Sequence, residues 1–250
     1  MIKEKTFNKW FNIFIITAML ASMAAMTFVK LKSSDSGHAL LLLSTLGSLM
    51  GVLASVASAN ARIITFLFGL LDVSIYGGIC LVNWHNGSSG LGNGLLHFLY
   101  FVPMQFIGFF QWRKLGATAT KQVKARRLSR RQWIVLSVTS VLALVLSYYI
   151  LERFDKSNAA SGIVWTVVWD ALPLICNIVG QILMSLSYME QWIFWIGVNI
   201  FSIIMWSNTL RTSPDSSYAP IYILKYAFYL LNSINGLRIW IGLSRRGKQI

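Results

Sequence analysis

Long apolar runs alternate with short polar breaks along the whole chain, and their length decides what they are. A helix rises about 1.5 Å per residue, so roughly 17 to 25 apolar residues cross about 30 Å of hydrocarbon. Runs of that order recur eight times, near residues 11–31, 38–59, 62–83, 94–112, 132–151, 160–187, 191–210 and 217–243. They predict an all-α integral membrane protein with eight transmembrane helices. The first run follows Lys3, Lys5 and Lys9 and ends near the small residues of SMAAM, as a cleaved signal peptide would. It exceeds the short apolar core of such signals, which favours a spanning helix.

A self-comparison groups these runs. A shift of 130 lays Gly47 on Asn177, Gly51 on Gln181, Leu53 on Leu183, Ser55 on Ser185, Gly69 on Asn199 and Tyr76 on Trp206. A shift of 128 lays Phe98 on Tyr226, Phe101 on Tyr229, Gly108 on Gly236 and Trp112 on Trp240. Any two apolar helices share some of this, so the value of the match lies in the grouping. Residues 1–37 form an extra N-terminal helix, 38–112 a first three-helix repeat, 113–159 a basic loop and linker helix, 160–243 a second repeat and 244–250 a tail. The pattern is 1+3+1+3. A linker that crosses once makes the repeats parallel, with a site expected between them near the bilayer midplane.

Composition confirms the solvent. Of 250 residues 56% are hydrophobic and 12% charged, with a mean hydropathy of +0.60, which excludes an ordinary water-soluble domain. A net charge of +14 would suggest nucleic acid in a soluble protein, but here the basic residues gather in loops and no nucleic-acid partner is expected. The stretch RKLGATATKQVKARRLSRR holds eight Lys or Arg and no acid. The positive-inside rule makes it cytoplasmic, and with it both termini. Cys80 and Cys176 lie in separate runs and read as small core residues; His38, His85 and His97 show no metal-ligand spacing. HNGSSGLGNG, residues 85–94, matches no phosphate loop, because no strand precedes it and no Lys follows; it reads as a flexible external loop. No metal and no cofactor is expected.

Polar side chains inside spans are costly and so mark candidate sites. Asp72, Gln105, Asp170, Asn199 and Lys225 all fall roughly 12 to 16 Å from the nearest helix end, and all belong to the two triplets. Helical spacing gives the faces. Trp192, Trp195, Asn199 and Trp206 share one; Lys225, Tyr229, Asn232 and Gly236 form a second stripe, with Asn235 beside it. Asp170, Asn177 and Gln181 form a third; Gly69, Asp72, Tyr76 and Asn83 a fourth; Phe101, Gln105, Gly108 and Trp112 a fifth. Structural alternatives stand beside these. Trp10, Trp84, Trp112, Trp133 and Trp240, near helix ends, read as interfacial anchors. Asn177 and Asn235 fit interhelical glue, and pairing of Asp72 or Asp170 with Lys225 would satisfy those charges without a ligand.

An aromatic face with amides suits a small, flat, hydroxylated solute better than an inorganic ion, whose sites are rings of oxygens or charges. Stacking and cation–π attraction hold planar and cationic groups, and amides serve hydroxyls and a carboxamide. WIFWIGVN contains W-x-x-W-x-x-x-N and resembles the motif of the PnuC-type nicotinamide riboside transporters. The 3+1+3 grouping is similar to the fold that family shares with sugar transporters of the SWEET type. The resemblance covers residues 38–243 and carries Trp192, Trp195 and Asn199 over as substrate residues. Gln105, Lys225, Tyr229, Asn232, Asp72, Asp170 and Tyr76 are candidates by depth and face alone.

The resemblance implies facilitated diffusion of nicotinamide riboside across a bacterial inner membrane, trapping by a cytoplasmic riboside kinase, and no enzymatic activity of the chain itself. Ion coupling through Asp72, Asp170 and Lys225 stays an alternative, as does a sugar or another vitamin as substrate. An intramembrane aspartyl protease using Asp72 and Asp170 is a third alternative, but GLLDVS lacks the G-x-G-D of such enzymes. Small residues on helix surfaces leave a homo-oligomer open.

Overall fold

The computed structural model describes residues 2–33, 38–85, 91–153, 165–212 and 219–246. They form α1 (Ile2–Ser33), α2 (His38–Ala59), α3 (Thr65–His85), α4 (Leu91–Leu96), a π-helical turn (His97–Phe101), α5 (Val102–Lys114), α6 (Arg130–Glu152), α7 (Trp165–Ser185), α8 (Gln191–Thr212) and α9 (Ala219–Arg246). Among the described residues, six stretches are long and apolar enough to cross a membrane: α1, α2, α3, the run through α4 and α5, α6, and α7. The protein is therefore an all-helical, multi-pass membrane protein. With 22 and 28 residues, α8 and α9 reach about 33 and 42 Å.

Lipid explains what is exposed. Ile134, Val138, Leu142 and Leu146 stand outward on α6, as do Phe28 on α1 and Leu99 in the π turn. In water such surfaces would associate; in hydrocarbon they are the solvated face. Several hydroxyl groups inside helices are satisfied by their own helix, as suits a bilayer that offers no water. Ser22 donates to the Ala18 carbonyl at 2.8 Å, Ser44 to Leu40 at 2.7 Å and Thr139 to Val135 at 2.8 Å.

The chain divides into two compact units, Met1–Lys124 and Ala125–Ile250. In the first, α3 packs against both α2 and the α4–α5 run. Thr27 and Thr45 tie α1 to α2 at 2.8 Å, and Asn12 Nδ2 donates to Asn60 Oδ1 at 3.2 Å. In the second, α8 packs against α7 and α9, and α6 lies on α7. There Leu136, Ala143 and Leu144 cover a core of Ile175, Val179, Leu183 and Tyr188.

The hairpin turns of the two units are alike bond for bond. After α2, Ala61 N–H donates to Ser58 and Arg62 N–H to Ala57, both at 2.9 Å, around Ala61 at φ 55°. After α7, Ser187 N–H donates to Met184 at 2.9 Å and Tyr188 N–H to Leu183 at 2.8 Å, around Ser187 at φ 58°. This is the Schellman cap, with a left-handed residue that costs about 1–2 kcal/mol when it is not glycine. Each turn is pinned by extended chain: Val123 N–H bonds the Ala61 carbonyl at 3.2 Å, and Arg126 N–H bonds the Ser187 carbonyl at 2.8 Å. The equivalence places the internal repeat at a shift of 126 at the turns, which corrects the 130 expected from residue types. The error of four is about one helical turn, which leaves every face nearly unchanged.

Two further expectations need correction. The fourth run is not one regular helix, because Val102 N–H reaches back five residues to the His97 carbonyl and opens a π turn just before Pro103. Pro cannot donate and crowds the preceding turn, so a widened turn accommodates it. In the stretch expected as an external loop, residues 86–90 lie outside the described residues, but Leu91–Leu96 is helical.

Candidate functional site

Helix α8 carries the densest group of candidate residues. At about 100° per residue, Gln191, Ser202, Trp195, Trp206, Asn199 and Trp192 occupy an arc of about 100°. Within the arc Trp195 lies against Gly180 of α7, and at one edge Trp192 lies against Gly236 of α9. Trp192 is 2% exposed, and its ring centroid is 6.5 Å from that of Trp240, tilted by 59°. Asn199 is buried and donates from Nδ2 to Ser233 Oγ on α9 at 3.1 Å.

The α9 stripe forms as expected. Lys225 Nζ lies 5.6 Å from the Tyr229 ring centroid, a cation–π contact, and Tyr226 and Tyr229 stand 6.4 Å apart. Asn232, Ser233 and Asn235 are buried. Asn235 Oδ1 accepts from Arg238 Nε at 3.2 Å and Nη2 at 2.9 Å, so it serves its own helix. Asn177 likewise donates to the Pro173 carbonyl at 2.9 Å, one turn back along α7, and Gln181 donates to Ser185 Oγ at 3.2 Å. These bonds within one helix correct the reading of Asn177 and Asn235 as glue between helices. The Asp170 side chain lies outside the described residues.

In the first unit, Gln105 on α5 is buried, with Oε1 close against Gly69 of α3, where a methyl group would stand 2.6 Å away. Asp72, three residues on from Gly69, packs against Gly51 of α2, where a methyl group would stand 2.9 Å from Oδ2. Tyr76 is 48% exposed, with its ring 4.7 Å from His97 of the π turn. Helix α3 therefore meets α5 through Gly69 and Gln105 and meets α2 through Asp72 and Gly51.

Buried polar atoms normally find partners, so those that do not are informative. Among the described residues, Gln105 Oε1, Glu190 Oε2, both polar atoms of Gln191, Trp192 Nε1 and Asn235 Nδ2 make no hydrogen bond within the protein. Three of these residues, 190 to 192, are consecutive at the start of α8. Gln191 is fully buried, and Glu190 Oε1 accepts from Leu128 N–H at 3.0 Å. Sequence reasoning passed over Glu190, Gln191, Ser202 and Ser233, since depth from a helix end makes the first two look like edge residues. Spacing alone would have put Gln191 within about 40° of Trp195, one turn away. Trp112 and Trp240 were expected as interfacial anchors, yet both are fully buried. Trp112 meets Phe66 edge-on at 4.8 Å, and Trp240 sits beside Trp192. Trp10 remains exposed, as an anchor should be.

Unpartnered donors and acceptors beside buried indoles can hold a planar, hydroxylated molecule by stacking and hydrogen bonding. No group of three or more His, Cys, Asp or Glu side chains able to hold a metal occurs among the described residues.

Comparison with known proteins identifies the family. Residues 41–242 match the family model described as nicotinamide mononucleotide transporter. A nicotinamide riboside transporter PnuC of Neisseria mucosa is 35% identical over 208 residues, covering 82% of this chain and 73% of that one. The protein of the same name from Haemophilus influenzae is 31% identical over 206 residues, covering 82% and 81%. A crystal structure of the vitamin B3 transporter PnuC superposes with a TM-score of 0.68 at 30% identity, covering 94% of this chain and 92% of that one. The chain belongs to the PnuC family, whose model carries the description nicotinamide mononucleotide transporter.

Proposed function

We propose that the protein carries nicotinamide riboside across the bacterial inner membrane by facilitated diffusion, and that the α8 arc binds it. The observation that carries this is the buried pair Trp192 and Asn199, set against α9 within a W-x-x-W-x-x-x-N motif. It is supported by relatives at 31–35% identity that are named for the riboside. In this reading Trp192 and Trp195 hold the pyridinium by stacking and cation–π attraction, about 0.5–2 kcal/mol each. Asn199, Asn232 and Tyr229 serve the carboxamide and ribose hydroxyls, and Lys225 stays at the ribose, away from the cationic ring. In the first unit, Gln105 on α5 offers an unpartnered acceptor, and Asp72 and Tyr76 stand on α3. Asp170 is kept as a candidate on its depth.

The proposal includes eight crossings in a 1+3+1+3 arrangement, with repeats at 38–112 and 160–243 and cytoplasmic termini set by the basic loop. It also includes the absence of catalysis by the chain itself, so that a cytoplasmic riboside kinase supplies the direction of uptake. A second reading follows from the family description: a mononucleotide adds a phosphate, which would seek a cation such as Lys225. Binding of labelled nicotinamide riboside to purified protein tests the assignment, with the mononucleotide, nicotinamide, nicotinic acid riboside, thiamine and a hexose as competitors. Displacement by the mononucleotide at lower concentration than by the riboside would favour the second reading. Binding of the hexose alone would sink both.

A further inference from the structure

We infer that Gly236 and Gly180 are positioning residues, each forming the seat of one motif tryptophan and fixing its ring for the substrate. The inference rests on the riboside-binding reading of Trp192 and Trp195. A methyl group at Gly236 would stand 2.6 Å from Cη2 and 2.7 Å from Cζ2 and Cζ3 of Trp192. All three atoms belong to the six-membered ring, which is rigid, so only displacement of the whole indole would relieve the contact. Trp192 has little room for that, because it is 2% exposed and Trp240, fully buried, stands beside it.

Glycines in membrane helices commonly let two backbones approach. Here the three nearest atoms to such a methyl group are all side-chain atoms of Trp192, so this glycine makes room for a ring. The seat also fixes the indole Nε1, which is buried and makes no hydrogen bond within the protein. On α7, a methyl group at Gly180 would stand 3.2–3.3 Å from Cε2, Cδ2 and Cζ2 of Trp195. That contact is tight rather than impossible, and Trp195 is only partly buried. The two seats therefore differ in strictness, with Gly236 the stricter.

The experiment is titration calorimetry of nicotinamide riboside with detergent-purified, monodisperse parent, Gly236→Ala, Gly180→Ala, Trp192→Phe, Trp192→Ala and the double variant Gly236→Ala/Trp192→Phe. Gly236→Ala is expected to weaken binding about tenfold or more, and Gly180→Ala about threefold, in that order. The shorter ring should relieve the clash, so the double variant is expected to bind within about threefold of Trp192→Phe alone. Such non-additivity is the signature of two residues acting through one contact. A glycine that served helix packing alone would lower thermal stability and leave the affinity of the folded protein at the parental value. Parental affinity in Gly236→Ala together with loss in Trp192→Ala overturns the inference and leaves the riboside reading standing. Parental affinity in Trp192→Ala itself overturns the riboside reading. If Gly236→Ala does not fold, the double variant decides: affinity equal to Trp192→Phe supports the seat, and a tenfold further loss overturns it.

Discussion

In the first unit the ring lying over the third helix of the triplet is Phe66, against Gly108 and edge-on to Trp112; in the second it is Trp192, against Gly236 and beside Trp240. Both rings follow the same Schellman turn, five residues after its left-handed residue, Ala61 or Ser187. The frame is thus duplicated down to an aromatic, a glycine and a tryptophan. What is not duplicated is the polar chemistry. Phe66 has no polar atom, whereas Trp192 brings a buried N–H with no partner within the protein, next in sequence to the fully buried Gln191. The first unit presents an unpartnered amide oxygen from the third helix, at Gln105, while the second presents Asn199 from the middle one. In the proposed reading, one copy of the frame keeps its ring for packing and the other uses its ring for binding.

The largest effect should come from removing the two equivalent rings. Trp192→Ala is expected to lower riboside affinity about 30-fold or more, the scale of losing about 2 kcal/mol or more at a buried aromatic anchor. Phe66→Ala is expected to cost about 3–5 kcal/mol of stability, the range for a buried Phe, with affinity of the folded protein within about threefold of the parent. Calorimetry and thermal denaturation on the same samples separate the two, and equal affinity losses would dissolve the distinction between the units. Next, Asn199→Ala removes a buried amide and leaves Ser233 without its donor. A loss of roughly 5- to 100-fold in affinity corresponds to the 1–3 kcal/mol of such a group. Trp192→Phe makes the second unit resemble the first. It deletes the N–H but keeps a ring, and about a fivefold loss is expected from one hydrogen bond of about 1 kcal/mol. Smallest of all is Arg126→Ala, which removes the guanidinium 4.5 Å from the Tyr188 ring centroid at the turn. About 0.5–1 kcal/mol of stability should go, with no change in uptake in vesicles, because the contact serves the frame and not the arc.

Much of this was legible in the chain. Apolar length located the helices to within a few residues at most ends, since both hydrophobicity and rise per residue are local properties. W-x-x-W-x-x-x-N was visible because spacings of three and four keep residues on one face. The register of the repeat was not, since a slip of four preserves that face; the left-handed Ala61 and Ser187, neither of them glycine, gave no sign in the sequence. Burial of Trp112 and Trp240 was hidden for a related reason. Depth along a helix says how far a residue is from water, and nothing about whether its face meets lipid or a neighbour such as Phe66 or Trp192. The π turn before Pro103 depends on a bond five residues long that composition does not encode. Gln191 was overlooked because its type suits a helix end, although it stands one turn from Trp195 on the same arc.

The most direct test is a calorimetric titration of nicotinamide riboside into the purified parent protein and its Trp195→Ala and Asn199→Ala variants. Saturable binding to the parent, weakened at least tenfold in Trp195→Ala and at least about fivefold in Asn199→Ala, is the predicted result. Variants that bind the riboside as the parent does would contradict the assignment of the α8 arc as the substrate site.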